Sequence, residues 1–136
     1  MDIAPSIKQT GRLGEQIAKE YLEKNGYRIL DRNYVFKIPL GRPIGEVDII
    51  AKKDGAIIFV EVKALTINAK DGREPVIRPE EKANIPKRRR LVKTAENWLA
   101  KRGIGLDTKW QIDIIAVEIF PDRNKIDHFQ NAVANF

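Results

Sequence analysis

A chain of 136 residues with 43% apolar and 32% charged side chains is long enough for one compact domain with a core of its own and too short for two. Its 25 Lys and Arg against 19 Asp and Glu leave a net charge of +6, which favours a polyanionic partner such as nucleic acid without requiring one. The absence of cysteine excludes a disulfide framework, a zinc ribbon and thiol catalysis, and a single histidine, His128, argues against a His-based triad or a multi-His metal site.

Residues 1–8 carry neither an apolar core nor a cleavage signature and are expected to form a flexible N-terminal segment. No apolar run reaches the roughly 18 residues that span a bilayer, so a soluble, cytoplasmic protein without a membrane partner is the default expectation. Leu13, Ile17, Ala18, Tyr21 and Leu22 recur at helical spacing, predicting a helix from Thr10 to Asn25 that stops at Gly26. Residues Tyr27 to Phe36 are rich in strand formers, with a bend expected near Asp31-Arg32-Asn33. Pro39, Gly41, Pro43 and Gly45 then mark a turn or extended loop.

Glu46 to Ala51 and Ala56 to Ala64 read as two strands joined by a hairpin at Lys52-Lys53-Asp54-Gly55. The unbroken apolar run Ile57 to Val60 predicts a central strand covered on both faces. Residues 66–85, with Gly72, Pro75, Pro79 and many charges, are expected to form a flexible excursion. Pro86 suits the first turn of a second helix, which carries Leu91, Ala95, Trp98 and Leu99 on one side and ends at Gly103. A strand from Lys109 to Phe120 and an edge strand within Lys125 to Ala132 complete the chain. The order predicts one α/β domain over residues 9–133, a mixed central sheet flanked by helices.

Three acidic residues interrupt apolar strands: Asp48, Glu61 and Asp113. A carboxylate in such a setting is costly unless it is paired, hydrogen-bonded or bound to a metal. Strand periodicity puts Glu61 and Lys63 on one face, about 6.6 Å apart along the backbone, and the hairpin brings the Asp48 strand alongside. Two carboxylates and an ammonium converging on one patch suit phosphodiester hydrolysis. Asp48 and Glu61 would hold a hard cation such as Mg²⁺, with Mn²⁺ as a substitute, Lys63 would position water or stabilise charge on phosphorus, and Glu15 would support the site from the first helix. The plainer reading of the same residues is a Glu–Lys pair on a solvated sheet face, with Asp48 in a turn and Glu15 an exposed helix carboxylate.

Gly45-Glu46-Val47-Asp48-Ile49-Ile50-Ala51, followed by Phe59-Val60-Glu61-Val62-Lys63, resembles the core of the PD-(D/E)xK nuclease superfamily. With Gly11, Gly14-Glu15, Ala18, Tyr21-Leu22, Gly26-Tyr27, Leu30, Arg32-Asn33-Tyr34, Asp113, His128 and Asn131-Ala132, the chain is similar from about Gly11 to Val133 to the YraN-like family, which is grouped with Holliday-junction resolvase-like domains. The resemblance implies a restriction-endonuclease-like α/β fold. Asp48, Glu61 and Lys63 then match the catalytic signature and Glu15 the helix glutamate, with DNA, branched or structured, as a partner in preference to RNA. It also implies that two copies would act as a homodimer. The chain departs from the family pattern at Ala64-Leu65, where an arginine is usual, at Gln111-Ile112-Asp113 in place of Arg-Phe-Asp, and in a longer loop from Lys37 to Ile44.

Lys87-Arg88-Arg89-Arg90 is the strongest basic cluster and is read either as a solvated helix face or as phosphate contacts at a helix start. Asp113 reads as a structural acid, His128 as structural or exposed, and Tyr21 and Trp98 as core residues. The alternatives to a nuclease are a non-catalytic nucleic-acid-binding module on the same fold and a protein-interaction adaptor.

Overall fold

The computed structural model of the protein describes residues 6–67, 85–105 and 107–133. Helix α1 (Ile7–Lys24) is followed by strands β1 (Arg28–Lys37), β2 (Pro43–Lys53) and β3 (Ala56–Thr66), helix α2 (Ile85–Lys101), and strands β4 (Trp110–Ile119) and β5 (Asn124–Phe129). The strands form one sheet in sequence order, antiparallel throughout except for the parallel pair β3–β4, which α2 connects. This is the mixed α/β architecture expected of a restriction-endonuclease-like core. Most of the excursion expected at 66–85, and residues 1–5 of the N-terminal segment, lie outside the described residues.

Helix α1 begins three residues before the expected Thr10, because Ser6 and Gln9 form a reciprocal capping box that satisfies the first free amides. Thr10 is buried instead, its hydroxyl 2.8 Å from that of Thr66. The hairpin between β2 and β3 turns on Asp54 and Gly55, whose φ angles of 50° and 80° give the doubly left-handed turn that matches strand twist.

The two helices cover opposite faces of the sheet. Leu91, Ala95, Trp98 and Leu99 of α2 pack on Val47, Ile50, Ile57, Phe59 and Ile112. Ala18 and Leu22 of α1 pack on Ile49, Ile58, Val60, Ile115 and Val117. Successive residues of β3 therefore alternate between two cores, which is why Ile57 to Val60 is apolar without a break. Asp31 accepts hydrogen bonds from Trp98 Nε1 and Arg102, each at 3.1 Å, and ties the outer strand β1 to α2.

Asp113 is completely buried and saturated. Its carboxylate accepts from Gln111 Nε2 at 2.8 Å and from the Asn131 amide at 2.9 Å, and its other oxygen lies 2.7 Å from His128 Nε2. His128 Nδ1 lies 2.9 Å from the Tyr21 hydroxyl, so one chain of polar contacts joins α1, β4 and β5. Asp113 thus has the backbone and basic partners expected of a structural acid, and His128, expected to be structural or exposed, has its side chain tucked in beside it.

Candidate functional site

Two glycines let both helices come close enough to the sheet to build a site. A Cβ on Gly14 would collide with that of Ala64, so α1 lies directly against the end of β3 and delivers Glu15 there. A Cβ on Gly45 would run into the Thr94 hydroxyl and sit 3.0 Å from the Arg90 carbonyl, so α2 lies against the start of β2 and delivers Lys87 and Arg90. Both glycines stand in the sequence, but close approach between elements distant along the chain leaves no local signal.

Strands β2 and β3 pair from Lys53–Ala56 up to Ile49–Val60, and the ladder stops there. Beyond it the Asp48 side chain takes over a backbone role: its Oδ2 accepts the Val62 amide at 2.7 Å. A carboxylate is thereby fixed between the strands where a ladder bond would otherwise run. The parting strands open a cleft of about 200 Å³ lined by Gly45, Glu46, Asp48, Glu61, Lys87, Arg90 and Leu91.

Glu61 sits in this cleft, 8% exposed. One of its oxygens, Oε1, is paired with Lys63 at 3.1 Å and with Lys87 at 2.5 Å. The other, Oε2, is buried and has no hydrogen-bond partner among the described residues. Lys63 is therefore where strand periodicity puts it, on the face of Glu61. Lys87 is more than the surface phosphate contact its basic neighbourhood suggests, because its ammonium turns inward onto the same carboxylate. Arg88 is half-buried, Arg89 and Arg90 are exposed, and of these three Arg90 lines the cleft.

Burial pushes the Asp48 carboxyl up to about 7. The Val62 amide opposes the shift, while the neighbouring carboxylates of Glu15, Glu61 and Glu46 add to it. Glu15 is also raised, chiefly by burial; its hydrogen bond with Asp48 and the nearby Arg32 guanidinium pull the other way. Two carboxyls joined by a hydrogen bond share a proton, so Glu15 and Asp48 act as a pair. Burial and the facing Lys63 ammonium push Lys87 down despite Glu61. Burial would also lower Lys63, but its polar partners, Glu61 and Asp48 among them, outweigh it and hold this amine above the usual lysine range.

The structure thus brings Asp48, Glu61, Lys63 and Glu15 together and adds Lys87, Arg90 and Arg32, the last of which sequence reasoning did not place. Among the described residues no three His, Cys, Asp or Glu side chains close around one point. The donor set nevertheless fits a hard divalent ion that keeps several waters, because a buried oxygen of Glu61 lacks a partner and Asp48 is crowded by carboxylates that a cation would relieve.

A UPF0102 protein of Alkaliphilus oremlandii is 36% identical over 127 residues, covering 92% of this chain and 97% of that protein. One from Clostridioides difficile is 37% identical over 125 residues, covering 92% and 96%. Another, from Persephonella marina, is 38% identical over 122 residues, covering 90% of each. The family model described as "Uncharacterised protein family UPF0102" matches residues 14–117, which hold every element of the cleft from Gly14 to Arg90, and the chain belongs to that family.

Proposed function

We propose that this protein is a metal-dependent nuclease that hydrolyses phosphodiester bonds in DNA. The observation that carries the reading is the division of labour at Glu61, which lines the cleft with Asp48: one oxygen is held by two ammoniums, and the other is buried and unsatisfied. A buried carboxylate oxygen left unpaired costs free energy, so it marks a place where a ligand completes the site. The resemblance of the Asp48…Glu61-Val62-Lys63 pattern to PD-(D/E)xK nucleases supports the same chemistry.

Asp48 and Glu61 would hold Mg²⁺ or Mn²⁺, which when bound supplies a Lewis acid toward phosphate oxygen and a more acidic water. Lys63, held protonated by its surroundings, is a donor rather than a proton acceptor, so it orients the attacking water and offsets negative charge building up on the phosphate. Lys87 keeps Glu61 in place while Arg90, at the rim, meets the incoming backbone. Glu15 shares the Asp48 proton and so sets when Asp48 becomes an anion.

One observation favours a second reading, a nucleic-acid-binding module without cleavage: the ammoniums of Lys63 and Lys87 both pair with Glu61 and can neutralise its carboxylate by themselves. Incubation of end-labelled DNA and RNA with Mg²⁺ or Mn²⁺ separates the two. The nuclease reading expects metal-dependent cleavage that falls on the order of a hundredfold or more in Glu61→Ala and Lys63→Ala while binding persists. Salt-sensitive binding without cutting on any substrate would establish the module instead.

A further inference from the structure

The loop between β1 and β2 presents the most exposed large apolar side chain among the described residues. Leu40 is fully in solvent and Ile38 is 52% exposed, with Lys37 and Arg42 on either side. The loop is also shaped rather than slack. The Gly41 amide bonds the Ile38 carbonyl at 2.9 Å, Lys37 pairs with Pro43 at its base, and Pro39 and Pro43 each fix a backbone angle. Leu40 itself has a φ of 62°, a conformation that glycine adopts freely and leucine only at a cost. An apolar residue held out in water, strained and flanked by two cations, is a feature that the fold does not need.

Its position gives it a use. The loop leads directly into β2, whose Gly45 and Glu46 line the cleft. Leu40 stands six residues from Glu46, at most about 20 Å at roughly 3.3 Å per residue, or about six base-pair steps of duplex. We propose that this loop is a wedge that inserts Leu40, with Ile38 behind it, into a base step of duplex DNA beside the bond presented to the Glu61 cleft. Lys37 and Arg42 then hold the phosphates on either side. The inference rests on the DNA reading above and adds to it a preference for steps that unstack easily, such as mismatched or pyrimidine–purine steps. A protein partner fits the loop poorly, because a stable protein interface needs about 800 Å² on each side and the tip offers two aliphatic side chains. Inserting between bases needs no more than that.

The test uses the full-length protein in EDTA, so that nothing is cut, and a duplex of about 30 base pairs with 2-aminopurine at a single mismatched step. The wild type is expected to raise the 2-aminopurine fluorescence and to bind this duplex about tenfold more tightly than its fully paired counterpart. Leu40→Gly combined with Ile38→Ser, which also relieves the positive φ and so does not threaten folding, is expected to abolish the fluorescence rise and most of that preference. Lys37→Ala with Arg42→Ala should instead weaken binding to both duplexes and lower the slope of log K against log salt by about 2. A Leu40→Gly, Ile38→Ser protein that keeps the fluorescence rise overturns the wedge and leaves the DNA reading standing. The wedge also falls if that variant turns a wild-type dimer into a monomer in sedimentation, since the tip is then a contact between copies. Wild-type protein that binds neither duplex overturns the wedge and the DNA reading together.

Discussion

Replacing Asp48 with asparagine is expected to stabilise the protein, by an amount that grows with pH. Asparagine keeps an oxygen to accept the Val62 amide and removes only the charge. Burial, with the facing carboxylates, lifts Asp48 from its ordinary 3.8 to about 7, so the folded chain holds this proton about three decades more tightly than the unfolded chain does. At pH 3 both states are protonated and the group contributes nothing. Between pH 4 and 7 the unfolded chain ionises while the folded chain does not, and stability falls as pH rises. Above pH 7 the penalty is complete, about 4 kcal/mol at ~1.4 kcal/mol per decade, less whatever relaxation of the cleft returns. Urea denaturation of wild type and Asp48→Asn in EDTA, from pH 4 to 8.5, measures the difference. The variant should match the wild type within about 1 kcal/mol at pH 4 and exceed it by about 2–4 kcal/mol at pH 8. Repeating the pH 8 measurement in millimolar Mg²⁺ should restore stability to the wild type and leave Asp48→Asn unmoved, because only the ionised site binds the cation. A difference that stays flat with pH, or a variant less stable at pH 8, would refute the account of Asp48 as a strained, desolvated acid.

Three further outcomes follow from the packing. Gly14→Ala drives a methyl group into Ala64 and should cost about 1–3 kcal/mol in chemical denaturation while displacing Glu15; a neutral effect would mean that α1 does not rest on β3 as described. Asp113→Asn turns an amide N–H₂ toward donors that now meet a carboxylate, and a loss of about 2–5 kcal/mol is expected, readable as a large drop in melting temperature. Lys87→Met removes one of the two ammoniums from Glu61; if Lys87 positions that carboxylate, cleavage should fall while the salt dependence of DNA binding changes by less than about one ion, whereas a surface phosphate contact would show the reverse.

The elements were legible in the sequence because each carries its own period. The helical spacing of Ala18 and Leu22 and the unbroken run from Ile57 to Val60 are direct consequences of which face is covered. The Glu61–Lys63 pair was legible for the same reason, two residues apart on one strand. How α1 and α2 reach the site was not: the sequence predicts Glu15 as support from the first helix, without the contact that delivers it there, and Lys87 as a phosphate contact. Glu15 lies among polar residues of an amphipathic helix, and nothing within its own turn says that Gly14 lets it reach Asp48, 33 positions away. Lys87 is one of four consecutive cations, and the helix rotation that sends it inward while leaving Arg89 and Arg90 exposed is set by Leu91, Ala95 and Trp98 docking on the sheet.

The place where the β2–β3 ladder ends explains why carboxylates gather there at all. A sheet with every ladder bond made has no room between strands, and an acid on it either faces solvent or is buried against a helix. Once β2 and β3 part above Ile49–Val60, the Val62 amide needs an acceptor, and Asp48 supplies one. That bond favours the Asp48 anion, whereas its burial and the carboxyls of Glu15 and Glu61 disfavour it. The two demands cannot both be met by the protein alone: a proton resolves them at low pH, and a divalent cation would resolve them at neutral pH without giving up the Val62 bond. The local break in strand pairing would thus create the cation affinity that the proposed chemistry requires. Asp48→Val removes the acceptor along with the charge and leaves the Val62 amide unpaired, so in EDTA at pH 8 it should gain less stability than Asp48→Asn, while losing any stabilisation by Mg²⁺ in the same step.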